Sequence, residues 1–155
     1  YTALFDLAQN TLDPIIDYFG MISLTYGFSS IELCKHISCR VAPKLDQHAG
    51  YEVNRLGKPV CERLGAAVDF IVVDEDMIEV AQWISENIPF DRMYIYGRDR
   101  PIHISYSNEP AKQIVLMLPS GKTGKLMPRR VNKGKSPKTL WEELEGNEPA
   151  LNKSF

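Results

Sequence analysis

The sequence predicts an α+β domain: a small, mainly antiparallel sheet backed by two or three helices, with any site on the sheet's open face. Two helical patterns and five strand-like runs predict it. Apolar residues recur at three- and four-residue spacing near the amino terminus and again after Met77. Short runs at 21–26, 66–73, 92–96, 102–106 and 113–118 read as strands, and the last three follow one another through tight turns. At 155 residues and 17.6 kDa the chain is the size of one ordinary domain with a proper core.

Each element has a local reason. Leu4, Phe5, Ala8, Leu12, Ile15, Ile16 and Phe19 mark one face of an amphipathic helix. Asp13-Pro14 also reads as a cap and first turn, so this stretch is one helix or two, and Gly20 ends it. Met21 to Tyr26 alternates as a strand, Gly27 to Ser30 turns out of it, and Ser30 caps a short helix through Ile31, Leu33 and Cys34. From Arg40 to Leu64 the chain is irregular and polar, punctuated by Pro43, Gly50, Gly57 and Pro59. A loop of that length inside a compact domain usually serves function. Ala66 to Val73 is a buried strand interrupted by one carboxylate, Asp69. Asp76 and Glu79 form a capping box for a helix that carries Ile78, Val80, Ala81, Trp83 and Ile84 and stops before Pro89. The three closing strands are linked by Gly97-Arg98-Asp99-Arg100-Pro101 and by Ser107-Asn108-Glu109-Pro110.

After Pro119 the composition shifts. Lys122, Lys125, Arg129, Arg130, Lys133, Lys135 and Lys138 lie among Gly, Ser and Pro without one acid. The chain therefore divides into a domain over 1–119 and a basic, largely flexible tail over 120–155, in which 139–144 forms a helical turn or two. Such a tail can contact the phosphates of nucleic acid through charge, or serve only as a solvated extension without interleaved aromatics. Gly121-Lys122-Thr123 fails as a phosphate loop because Leu116 stands where a glycine is needed. A net charge of -2 gives no global signal for nucleic acid, and no apolar run approaches the ~20 residues of a membrane helix. Three cysteines, an odd number with no CxxC pair, read as reduced thiols. Cys34, His36 and Cys39 match no common zinc spacing, so ordinary buried thiols are the plainer reading of them. Together with an amino terminus that begins at Tyr1 without leader features, this points to a cytoplasmic protein, trimmed or cut from a larger one.

Two strand residues carry the chemistry. A carboxylate inside an apolar strand costs several kcal/mol, of order 2–5, unless it is paired or binds a metal. Asp69 therefore faces the open side of the sheet, pairs with an arginine such as Arg92, or is a ligand. His103 also sits mid-strand, between Ile102 and Ile104. If the two strands are neighbours, Asp69 and His103 converge and supply two of the three protein ligands of a hydrolytic zinc site. The plainer reading of a lone strand histidine is a hydrogen-bonded core residue.

Gly65-Ala66-Ala67-Val68-Asp69-Phe70 resembles the Gly-x-Ala-x-Asp strand of the zinc D-alanyl-D-alanine carboxypeptidases and phage endopeptidases, the hedgehog/D,D-peptidase fold. Phe90 to Tyr94 followed by Ile102 to Ser107 is similar to that family's closing hairpin, which brings in its last zinc histidine. Asn10 to Ile15 resembles its opening helix, and Tyr26-Gly27-Phe28-Ser29-Ser30 resembles its Ser-Gly-Tyr-Arg-Ser turn. The likeness spans roughly Asn10 to Leu118.

The resemblance implies a zinc site, and the departures reshape it. The family's first zinc histidine stands where this chain has Glu62, three residues before Gly65. Asp46-Gln47-His48 resembles the Ser-Gln-His that carries that ligand, displaced by an insertion running to Arg63. The implied ligands are then His48, Asp69 and His103. Alternatively Glu62 ligates, giving two carboxylates and one histidine, a set suited to manganese, iron or magnesium. Without a metal, Glu62 pairs with Arg63 or Arg40. Ser29 stands at the family's substrate-holding arginine, which argues against a D-alanyl-D-alanine substrate. The family's catalytic glutamate falls near Tyr96, Asp99 and Arg100, making Asp99 a candidate base, with Glu62 and Glu52 equally eligible. The expected function is a divergent metal-dependent hydrolase-like domain related to peptidoglycan peptidases, its substrate unassigned. The alternative is a non-catalytic binding module, part of a larger protein, whose basic tail contacts nucleic acid.

Overall fold

The computed structural model describes residues 2–34, 36, 47–120 and 123–146. The segment with Arg40, Pro43, Lys44 and Asp46, and with it Cys39, lies outside the described residues, so the Cys34/His36/Cys39 grouping is not described as a whole. The fold is α+β, built on one six-stranded, mostly antiparallel sheet. Among the described residues no helix is long and apolar enough to cross a membrane.

The chain opens with α1 (Thr2–Leu7), a π-helical turn (Ala8–Leu12) and α2 (Asp13–Phe19), a continuous helical rod. One helix or two is thus answered by a widened turn. Pro14 has no N–H, and its ring would crowd the carbonyl four residues back, so the turn before it opens. Leu7 and Ile15 carry the rod onto the core, and Thr11 donates its hydroxyl to the Pro89 carbonyl at 3.2 Å. At the rod's end Gly20 takes a positive φ of 88°. Strand β1 (Ile22–Tyr26) follows, then the short α3 (Ile31–Cys34), whose Leu33 N–H is capped by the Ser30 hydroxyl at 3.0 Å.

Residues 47–65, expected to be irregular, fold into a compact insert. It starts with a 3-10 turn (Gln47–Ala49) and includes a bridge between Val53 and Pro59. Ala49, Val60 and Cys61 form its own small core, and Asn54 closes its tip by accepting from the Leu56 and Lys58 amides. Strand β2 (Ala66–Val72) leads to α4 (Met77–Asn87), capped by Asp76, which accepts from the Ile78 N–H at 2.8 Å. Three further strands are β3 (Arg92–Ile95), β4 (Ile102–Tyr106) and β5 (Gln113–Pro119).

The sheet order is β1-β2-β4-β3-β5-β6, with β6 at Leu126–Arg130. β4 is already flanked by β2 and β3, so β5 takes the free edge of β3 and runs parallel to it. Alternation along each strand sorts the faces. Val68, Phe70, Met93, Ile95, Ile102, Ile104, Ile114 and Leu116 join Met77, Ile78, Val80, Ala81 and Ile84 of α4 in the main core. Asp69, His103, Tyr94 and Val115 occupy the opposite face.

The sheet is larger than expected because part of the stretch read as a flexible tail enters it. β6 pairs with β5, and α5 (Pro137–Gly146) buries Trp141 to 7 % exposure. Polar contacts fix α5 to α4: Arg98 bridges Asp76 and Glu145, and Lys138 reaches Glu79 at 2.6 Å. The periodicity of β6 is hidden because every residue of this edge strand is exposed and Pro128 interrupts it.

Candidate metal centre

The cross-strand register builds the site. Asp69 of β2 is directly opposite His103 of β4, and His103 is directly opposite Tyr94 of β3. On the other side of β2, a bulge between Leu24 and Tyr26 brings Tyr26 opposite Asp69. Residues directly opposite one another project from the same face. One row across the sheet is therefore Tyr26, Asp69, His103 and Tyr94.

His48 reaches this row from the 3-10 turn. Its Nδ1 lies 2.9 Å from the Ala67 carbonyl oxygen, one turn of the pleat from Asp69. A carbonyl only accepts, so Nδ1 carries the proton and donates. The opposite ring nitrogen, Nε2, then turns toward the sheet. It lies 3.1 Å from Asp69 Oδ1 and 3.1 Å from His103 Nδ1, while His103 Nδ1 and Asp69 Oδ1 are 2.9 Å apart. Three donor atoms thus form a nearly equilateral triangle, and the group could hold a metal ion. Both imidazoles are buried and the carboxylate is 29 % exposed, so one side of the triangle opens to solvent.

The 3-10 turn is itself tied down. Ser29, buried to 2 %, donates its backbone N–H to the His48 carbonyl at 2.9 Å, and Gln47 Nε2 donates to the Leu64 carbonyl at 2.8 Å. Aromatic edges pack against both histidines: Tyr26 and His48 centroids are 4.8 Å apart at 85°, and Tyr94 and His103 centroids 5.2 Å at 82°. The Tyr26 hydroxyl is buried with no hydrogen-bond partner among the described residues.

Electrostatics favour an ionised carboxylate. Burial pushes the Asp69 carboxyl up, but hydrogen bonds from His103 and His48 and the positive charge those rings can carry outweigh it, holding the group at about 2. With Nδ1–H of His48 committed to Ala67, the Nε2 lone pair faces a carboxylate oxygen at 3.1 Å. Two lone pairs at that distance repel unless a cation, proton or metal, lies between them.

The structure brings together His48, Asp69 and His103 and leaves the other candidates apart. Asp69 takes the two histidines, and Arg92 does not pair with it. Glu62 is exposed on the turn before β2 and lies outside the donor triangle, so the alternative ligand set with Glu62 is not assembled. Arg63 instead faces Asp91 at 3.8 Å. Asp99 is exposed in the β3–β4 turn and Glu52 is half-buried in the insert, both outside the triangle. Ser29 is closed off from solvent, and its backbone orients His48. The Ala67 carbonyl and the two tyrosines carry no sequence signal, because their proximity to the histidines is set by register alone. No protein-family model matches the chain, and no curated protein and no solved structure matches it either.

Proposed function

We propose that the chain is a divergent metal-dependent hydrolase-like domain, related to the peptidoglycan peptidases of the hedgehog/D,D-peptidase fold, with zinc held by His48, Asp69 and His103. The donor triangle carries this reading. Zinc bonds of about 2.0–2.2 Å with tetrahedral angles set three N/O donors about 3.3–3.6 Å apart. The observed sides of 2.9–3.1 Å need only a slight outward relaxation to meet that spacing. A carboxylate and two imidazoles are also the ligand chemistry of three-ligand catalytic zinc sites with one position open. Zinc bound there supplies Lewis acidity toward a carbonyl or toward water. The protein's part is to aim the donors: the Ala67 carbonyl fixes the His48 tautomer, and the sheet register fixes Asp69 against His103.

Metal analysis of protein purified without an affinity tag tests the reading. One equivalent of zinc is expected, retained on dialysis and lost in the His103→Ala variant. Wild-type protein that stays metal-free after zinc is supplied, with unchanged stability, ends it.

One observation favours a second reading, a non-catalytic binding module. Neither Asp99 nor Glu62 joins the donor group, and the stretch where the resembling family places its glutamate offers Tyr96, Asp99 and Arg100 instead. A centre that lacked a positioned proton acceptor would bind a ligand without turning it over. Lys125, Arg129, Arg130, Lys133 and Lys135, all exposed around β6, then offer a basic margin for nucleic acid.

A further inference from the structure

Arg92 stands one step along the sheet from the donor triangle. It is directly opposite Ser105, two residues beyond His103 on β4, which makes Arg92 the diagonal neighbour of His103. Diagonal neighbours lie about 7–8 Å apart on the same face. Arg92 also lines a cleft of about 470 Å³ that continues past Tyr51, Ser107 and Asn108. Its Nε is buried and takes no hydrogen bond among the described residues.

The other charges of this cleft have partners or lie in solvent. Arg63 faces Asp91 at 3.8 Å and Gln47 at 3.4 Å, and Asp91 accepts from the Ala111 N–H at 2.9 Å. Glu62 and Glu109 are exposed at the rim, where water and salt screen them. Arg92 alone of the cleft's cations has no acceptor among the described residues. An unsatisfied buried N–H costs about 1–3 kcal/mol, and native proteins rarely retain one without a ligand or water to complete it.

We propose that Arg92 anchors an oxyanion group, a carboxylate or a phosphate, of a ligand that lies in this cleft with its other end at the His48/Asp69/His103 centre. The planar fork of a guanidinium matches two oxygens of such a group at once. Because Nε is buried while Arg92 lines the cleft, a ligand there engages Nε only if the side chain turns outward. Ser107 and Asn108, beyond Arg92 on the side away from the donor triangle, then supply neutral hydrogen-bonding groups around the anionic end. The inference rests on the metal reading for the second end of the ligand only; the anchor at Arg92 stands on its own geometry.

Two measurements separate these ends. In the first, metal-free protein is titrated with glutarate and, separately, with inorganic phosphate, while the Nε–H NMR resonance of Arg92 is followed, assigned by its loss in Arg92→Lys. A saturable shift is expected with one of the two anions, and which one names the group. A resonance unmoved by both overturns the proposal. In the second, zinc-loaded protein is titrated with glutaric monohydroxamate and with its neutral methyl ester. The acid is expected to bind about tenfold tighter, an advantage that disappears in Arg92→Gln with zinc content unchanged. Equal affinities in wild-type protein overturn the bridging of cleft and metal. If zinc does not bind, the metal reading fails, and the first titration still decides whether Arg92 receives an anion.

Discussion

At Asp69, burial and hydrogen bonding act in opposite directions on one carboxyl. Desolvation favours the neutral acid, whereas His103 and His48 favour the anion and prevail, lowering the group from 3.8 to about 2. A carboxyl depressed on folding stabilises the folded state above its unfolded value, and the contribution is lost as pH falls through the folded one. In metal-free protein, then, ionised Asp69 stabilises the fold above about pH 4 and stops doing so toward pH 2. At about 1.4 kcal/mol per unit, with partial exposure discounted, the effect is on the order of 1–2 kcal/mol. Urea unfolding of wild-type and Asp69→Asn protein over that acid range measures it. The two curves should converge as pH falls; parallel loss of stability would show that Asp69 is not the group responsible. A lone polar residue in an apolar strand was visible from the sequence, and so was the mid-strand His103. His48 was visible only through the likeness of Asp46-Gln47-His48 to a known ligand segment, because nothing in its own surroundings distinguishes it.

Strand β2 carries Asp69, and its entry is fixed by Gly65. That residue has φ of +111°, and a Cβ there would lie 2.2 Å from the Tyr106 carbonyl oxygen. Gly65→Ala must therefore push β2 away from β4, at a cost exceeding about 2–3 kcal/mol, and disturb the Asp69–His103 pairing with it. Gly57 is the internal comparison: its φ is +71°, but nothing lies within 4 Å of a Cβ placed there. Gly57→Ala should cost only about 1 kcal/mol. Thermal unfolding of both variants checks the ordering, and equal losses would contradict the close approach at Gly65. The main strands and α4 were legible because apolar alternation and the Asp76 cap are local signals. The folded insert at 47–65 was not, since its small core draws Ala49, Val60 and Cys61 together from a mostly polar stretch.

For the whole molecule, the sheet separates support from chemistry. The helical rod, α4, α5 and the main core lie against one face, and the donor triangle stands on the other. The support includes residues beyond 119. Removing everything after Pro119 would strip β6 from the edge of β5 and uncover the surface that Trp141 closes. Loss of a buried tryptophan alone costs about 3–5 kcal/mol. A chain ending at 119 is therefore expected to show a markedly lower urea midpoint or to fail to fold. An unchanged midpoint would mean that the segment is a passive tail.

The sequence by itself determined the fold class, the positions of the main strands and α4, and the presence of two polar residues that an apolar strand does not tolerate without partners. Those follow from periodicity and from the cost of burying charge, which act over a few neighbouring residues. Only the tertiary structure decided that β2 and β4 are paired in the register that opposes Asp69 to His103, that a 3-10 turn delivers His48 to them, and that Arg92 lies one diagonal away. Such choices depend on which strand edges remain free and which faces are already covered, and contacts between residues far apart in the chain set both.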